Sequence, residues 1–180
     1  DGDIVLGLGS NGLHSNGFSL VRKVFELNKI SYQKKAPFDP NQTLGMTLLQ
    51  PTRIYVTSCL TALKEDGVHA LAHITGGGLF ENIPRILPKA LGVSLDCESW
   101  EIPSMFKWLS NVGNISPEEM FKTFNCGLGM IVIADHKKGH NLKKVLEECG
   151  EYVFEIGFVK KSSRSSPQIE LKNIDSQWKN

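Results

Sequence analysis

The chain has 180 residues, 41% of them hydrophobic and 22% charged, which suits one compact domain with a sizeable core and is too short for two ordinary ones. Its 20 basic and 19 acidic side chains leave a net charge of +1, so no overall field draws it to nucleic acid or an anionic membrane, and neither is expected as a partner. No apolar run could span a bilayer, Asp1-Gly2-Asp3 does not open a secretory signal, and four widely spaced cysteines suit reduced thiols in the cytoplasm.

In chain order, Asp3 to Leu8 reads as a buried strand ending in a cluster of turn formers, Gly7 to Gly12. Gly17 to Leu27 is an amphipathic helix with Phe18, Val21 and Phe25 on one face. Ser31 to Asn41, with Pro37 and Pro40, has no period and is expected to be an exposed loop. Thr52 is expected to cap a helix that buries Val56, Cys59, Leu60 and Leu63. Val68 to Ile74 alternates as a strand, with Val68, Ala70, Ala72 and Ile74 sharing one face, and Leu79 to Asn82 makes a short helix. Val93 to Leu95 is a short strand, and Pro103 opens a helix carrying Met105, Trp108, Leu109 and Val112. Ser116-Pro117-Glu118-Glu119 has capping-box spacing, Met130 to Ala134 is a central strand, and a helix follows through Leu142, Val145, Leu146 and Cys149. Tyr152 to Val159 is a two-sided strand, and Ile169 to Leu171 an edge strand after a serine-rich loop, 162–166. Strands alternate with helices, so a sheet covered by helices is expected.

The chemistry concentrates at glycine-rich strand ends. Thr75-Gly76-Gly77-Gly78 follows the 68–74 strand and precedes a helix, a place where backbone N–H groups and close approach favour a phosphate. A bare tight turn explains the same residues, because neither the Walker spacing nor a well-placed G-x-G-x-x-G is present. His73, Glu81 and Asn82 flank the turn and are candidates for acid-base or orienting work, against a strand-end histidine satisfied by backbone. Arg53 and Arg85 could clamp a phosphate or form salt bridges. Cys126 lacks a neighbouring base and reads as a buried small hydrophobe, and His136 and His140, four apart, lack a third metal ligand, so no metal site is assigned.

Gly9-Ser10-Asn11-Gly12-Leu13-His14-Ser15-Asn16-Gly17-Phe18, Pro51-Thr52-Arg53-Ile54-Tyr55, His73 to Pro88, and Phe124-Asn125-Cys126-Gly127-Leu128-Gly129 resemble the carboxyl-terminal half of phosphoribosylformylglycinamidine cyclo-ligase, also called aminoimidazole ribonucleotide synthetase. The resemblance covers essentially the whole chain. It implies an α/β (α+β) fold, a three-layer α/β/α arrangement with a mixed, partly ferredoxin-like sheet, with residues 1–174 as the domain and 175–180 as a tail or linker. It also implies an ATP- and Mg²⁺-dependent ring closure of formylglycinamidine ribonucleotide in purine biosynthesis. The family's amino-terminal ATP-binding domain would be missing, so the chain alone is expected to be inactive, and the full-length enzyme is expected to be a homodimer. The glycine loops then have roles: Thr75, Gly76, Gly77 and Gly78 hold a phosphate, Ser15, Asn16 and Gly17 line the opposite wall, and Asn82, Asn125 and Gly127 complete the cleft. The alternatives are a non-catalytic phosphate-binding or dimerisation module and another ATP-using enzyme of the same superfamily.

Overall fold

The computed structural model describes residues 1–163 and 168–178. Its strands are β1 (Ile4–Gly9), β2 (Lys35–Ala36), β3 (Asp39–Thr43), β4 (Val68–His73), β5 (Leu91–Asp96), β6 (Leu128–Ala134), β7 (Val153–Lys161) and β8 (Ile169–Lys172). The helices are α1 (Phe18–Leu27), α2 (Leu44–Leu48), α3 (Val56–Ala62), α4 (Gly78–Asn82), α5 (Ser104–Gly113), α6 (Pro117–Thr123) and α7 (Gly139–Glu148). Six strands form one mixed sheet in the order β4-β6-β1-β7-β5-β8, antiparallel except where β8 runs parallel to β5. Taken alone, β1, β4, β6 and β7 stand in the order of a ferredoxin-like βαββαβ unit, with α3 and α7 as its two crossover helices.

Alternation along the central strands sends side chains to two cores. Leu6, Leu8, Val132 and Ala134 pack with Cys59 and Ala62 of α3 and Leu142 and Leu146 of α7. On the other face Val5, Ile131 and Ile133 join a larger core with α1, α4, α5 and α6, whose anchors are Phe25, Leu79, Phe106, Leu109 and Phe121. The result is the expected three layers. Ser116 caps α6 by accepting a hydrogen bond from the Glu119 N–H at 3.3 Å, and Pro117 occupies the first helical position.

Three expectations need correction. Residues 31–41 are not a featureless loop: β2 and β3 pair as a small hairpin that buries Ala36, with Pro40 tolerated in a two-stranded ribbon. In α3 the cap is Tyr55 rather than Thr52, and the buried positions are Ser58, Cys59 and Ala62 while Val56, Leu60 and Leu63 face outward. Small residues win the inner face there because they let α3 lie close to the sheet. A register shift between Val68 and Ala70 turns Val68 to the α3 side, away from Ala70, Ala72 and Ile74. Beyond β8 the 175–178 segment packs on the domain: Gln177 donates to the Cys97 and Trp100 carbonyls and accepts from the Ile102 N–H, and the Trp178 ring meets Phe121 edge-on at 5.7 Å. The 162–166 loop and residues 179–180 lie partly or wholly outside the described residues.

Candidate functional site

Three loops meet at one end of the sheet, because β6 lies between β1 and β4: residues 10–17 leave β1, 74–77 leave β4, and 124–127 enter β6. Asn125 ties two of them together. Its Oδ1 accepts from the Ser10 hydroxyl at 2.8 Å and the Gly127 N–H at 2.9 Å, and its Nδ2 donates to the Gly12 carbonyl at 2.8 Å. The Ser10 N–H closes the frame on the Gly127 carbonyl at 2.8 Å. Asn125 is thus a buried brace whose polar atoms are already engaged.

Asn82 does the same for the glycine turn. Buried at the end of α4, it donates to the carbonyls of Gly78 (2.7 Å), Gly76 (3.2 Å) and Thr75 (3.4 Å), and accepts from the Thr75 hydroxyl at 3.1 Å. Gly77 and Gly78 have φ of +89° and +56°, the left-handed region that other residues enter at a cost. At Gly78 a Cβ would run into the Phe121 and Phe124 carbonyls, so this glycine lets α4 pack on α6. At Gly77 a Cβ would meet the Glu81 carboxylate, which folds back over the turn and pairs with Arg85 at 3.1 Å. Gly76 differs: its backbone is unstrained, and the nearest atom to a Cβ there is Asn16 Oδ1 at 3.7 Å. Among the described residues, neither the Gly76 nor the Gly77 N–H is engaged within the chain. Asn16 is thus the nearest group across from Gly76.

The opposite wall is built from residues in unusual conformations. His14 and Ser15 both have positive φ, 52° and 59°. Ser15 is exposed, Asn16 is anchored through its Nδ2 to the His14 carbonyl at 2.6 Å, and Gly17 lies on the Phe124 ring. His14 lies in one of the motifs that carry the resemblance but was not among the residues assigned to the cleft. It is 2% exposed, with Nε2 between Asn11 Oδ1 at 2.6 Å and the N–H groups of Asn11 and Arg53 at 3.3 Å, while Nδ1 is buried with no partner. Burial, then the electrostatic influence of His73 and Arg53, lowers its pKa to about 4, so the ring is neutral at pH 7. The Tyr55 and His73 rings stand 6.1 and 6.4 Å from it, and Tyr55 donates to the Gly9 carbonyl at 2.8 Å. His73 is exposed at the end of β4. The only sequence signal for His14 was one imidazole in a run of Ser, Asn and Gly.

The remaining candidates separate from this cluster. Arg53 donates to the buried Glu151 carboxylate at 2.8 Å and to the Gly150 carbonyl at 2.8 Å, and Ser58 donates to the same carboxylate at 2.5 Å, so Arg53 braces the β7 entry. Arg85 is held by Glu81 and Asn82. Cys126 is fully buried and its thiol pKa is pushed well up by burial, the opposite of an activated nucleophile. His136 lies before α7 and His140 in its first turn, both exposed, and among the described residues no three His, Cys, Asp or Glu come together to hold a metal. On the other side of the 10–17 loop, Ser10, Asn11, Phe38, Gln42, Gln50 and Met105 are among the residues lining a cleft of mixed character of about 440 Å³.

Residues 1–170 match the family described as AIR synthase related protein, C-terminal domain. The chain is 46% identical over 175 residues to the trifunctional purine biosynthetic protein adenosine-3 of Homo sapiens, covering 97% of this chain and 17% of that protein. Among solved structures it resembles thiamine-monophosphate kinase from Stenotrophomonas maltophilia (TM-score 0.62, 15% identity, 94% of this chain and 50% of that one). It also resembles tt0281 from Thermus thermophilus (TM-score 0.59, 10% identity, 96% and 49%) and a chain of a HypE-HypF complex (TM-score 0.59, 16% identity, 89% and 47%). At these identities the structures share the fold, and the chain spans about half the length of each or less.

Proposed function

Because the chain belongs to the AIR synthase related family, whose C-terminal domain it matches, we propose that it serves the ATP-dependent cyclo-ligase that closes the imidazole ring of formylglycinamidine ribonucleotide, yielding aminoimidazole ribonucleotide, ADP and phosphate. The observation that carries this reading is the 46% identity, over 97% of the chain, to a purine biosynthetic protein. The geometry supports it with two backbone N–H groups, of Gly76 and Gly77, that are not engaged within the described residues, with Asn16 as the nearest group to Gly76 and the exposed Ser15 next to it in the chain. A phosphate of substrate or nucleotide takes those donors. Neutral His14 is buried beneath the loops and holds them in place, which leaves exposed His73 as the candidate for proton transfer. Glu81 is engaged with Arg85, which leaves it the role of gating the turn.

ATP, when bound, supplies the phosphoryl group that activates the formyl oxygen. Among the described residues no three His, Cys, Asp or Glu lie together, so Mg²⁺ would be held chiefly through the bound phosphates. A preceding domain supplies the rest of the nucleotide site, and the full-length enzyme is a homodimer. Residues 1–180 alone therefore release no ADP above background, since in-line transfer needs all the positioning groups together.

Gly76→Val tests the assignment. The backbone there accepts a side chain without strain, and the isopropyl group fills the gap towards Asn16. The expected result is unchanged thermal stability and at least tenfold weaker binding of formylglycinamidine ribonucleotide and of inorganic phosphate. Loss of nucleotide binding alone assigns the gap to ATP, and unchanged affinity for all three ligands refutes the phosphate site.

A further inference from the structure

The cleft beyond the 10–17 loop has no part in the reading above, and its walls come from separate stretches of the chain: the residues after β1, the β2–β3 hairpin, α2 with Gln50 after it, and the start of α5. At about 440 Å³ it can take a ligand of nucleoside size. Phe38, in the turn of the hairpin, and the thioether of Met105 supply its apolar side. Behind Phe38 the Trp108 ring stands 5.7 Å away and itself meets Phe25 at 5.9 Å, so an aromatic cluster backs this wall. A half-buried phenyl ring held in this way is a platform for a second planar ring.

The polar side is ordered by a relay of side chains. The Asp39 carboxylate, which can only accept, takes a hydrogen bond from Gln42 Nε2 at 2.8 Å, and this turns Gln42 Oε1 towards Gln50, whose Nε2 donates to it at 3.5 Å. Among the described residues Gln50 Oε1 then has no donor, and the backbone N–H groups of Ser104 and Met105, in the first turn of α5, meet no acceptor. One open acceptor and two open donors thus belong to residues lining a single cleft, and none of the residues lining it is Lys or Arg. A phosphate finds no cation there, whereas a planar ring with an amino donor beside ring-nitrogen acceptors satisfies both kinds of group. We propose that this cleft is a second ligand site, for an adenine ring whose amino group donates to Gln50 Oε1 while ring nitrogens accept from the start of α5 and the ring lies on Phe38. The site goes beyond the cyclo-ligase reading and does not depend on the phosphate assignment at the glycine turn.

Amide NMR of residues 1–180, which contain both cores, tests this by titration with adenosine, a probe that carries no phosphate. Saturable shifts of the Gln42, Gln50, Ser104 and Met105 signals are expected. Inosine, which presents a carbonyl where adenosine has its amino group, should bind about tenfold more weakly, roughly the worth of one paired contact to a base edge. Gln50→Leu should weaken adenosine to the same degree while leaving the melting temperature and the binding of inorganic phosphate unchanged. Phe38→Leu, which keeps the hairpin apolar, should weaken it through lost stacking. ATP titrated in parallel should shift the same cleft signals, and added shifts at Gly76 and Gly77 would show one molecule reaching both sites with its base in the cleft. No cleft shift at millimolar adenosine or ATP, equal binding of inosine, or adenosine binding that both variants leave unchanged overturns the proposal. Failure of the phosphate reading shows separately, in Gly76→Val.

Discussion

Removing the Asn82 carboxamide should loosen the glycine turn and the domain together. In Asn82→Ala the Gly78 carbonyl loses a 2.7 Å hydrogen bond in a buried setting, the Gly76 and Thr75 carbonyls lose longer ones, and the Thr75 hydroxyl loses its acceptor. One buried carbonyl left unmet costs about 1–3 kcal/mol, and the weaker contacts and small void bring the expected loss to about 2–3 kcal/mol. For a chain of this size each kcal/mol moves the melting temperature by roughly 2–4 °C, so the midpoint should fall by roughly 4–12 °C. Circular dichroism melts and urea titrations at pH 7 read this directly, and the urea slope should be unchanged because the same surface unfolds. Thr75→Val, which removes only the hydroxyl bond, should lose about 1 kcal/mol, and the double variant should lose less than the sum because both substitutions break one network. A loss below about 0.5 kcal/mol for Asn82→Ala would show that the turn keeps its shape without the brace, and would refute the reasoning.

Two further perturbations address charge. Because the His14 pKa is lowered to about 4 in the folded chain, the unfolded chain binds one more proton between about pH 6.5 and pH 4; the stability present at pH 7 should fall as pH drops through that window, by about 2 kcal/mol at pH 5. His14→Asn, which tolerates the same left-handed backbone, should flatten that part of the pH profile, and an unchanged profile would show that another group titrates there. Glu81→Gln removes the carboxylate that overhangs Gly77, and should raise the affinity for inorganic phosphate about two- to fivefold, with lower affinity on titration counting against the anion site.

Much of the fold was legible because burial imposes a period on sequence. The central strand around Ile131 and Ile133 and the amphipathic α1 had to look as they do to fill two cores. The α3 face was misread for the same reason: its apolar residues follow a helical stripe, but that stripe faces outward, and Ser58, Cys59 and Ala62 were the inner side. The hairpin at 35–43 gave no alternation because only Ala36 among its strand residues is buried. At the site, glycines and flanking asparagines announced the loops, yet not the division of labour. That Asn125 binds two of the loops to each other, and that Gly78 serves the contact with α6, depends on residues 40 to more than 100 positions away in the chain. His14 was hidden because its burial is created by Arg53, Tyr55 and His73, which no local pattern brings together.

The Gln177 side chain grips three backbone groups spread over residues 97 to 102, and Trp178 covers Phe121. The segment works as a clasp on a stretch with no regular structure of its own, between β5 and α5. Anyone trimming the domain for expression or joining it to a new carrier would do well to leave the clasp intact: a boundary after β8 discards it, strands those three groups and bares an aromatic surface, whereas a junction beyond Trp178 leaves the closure whole.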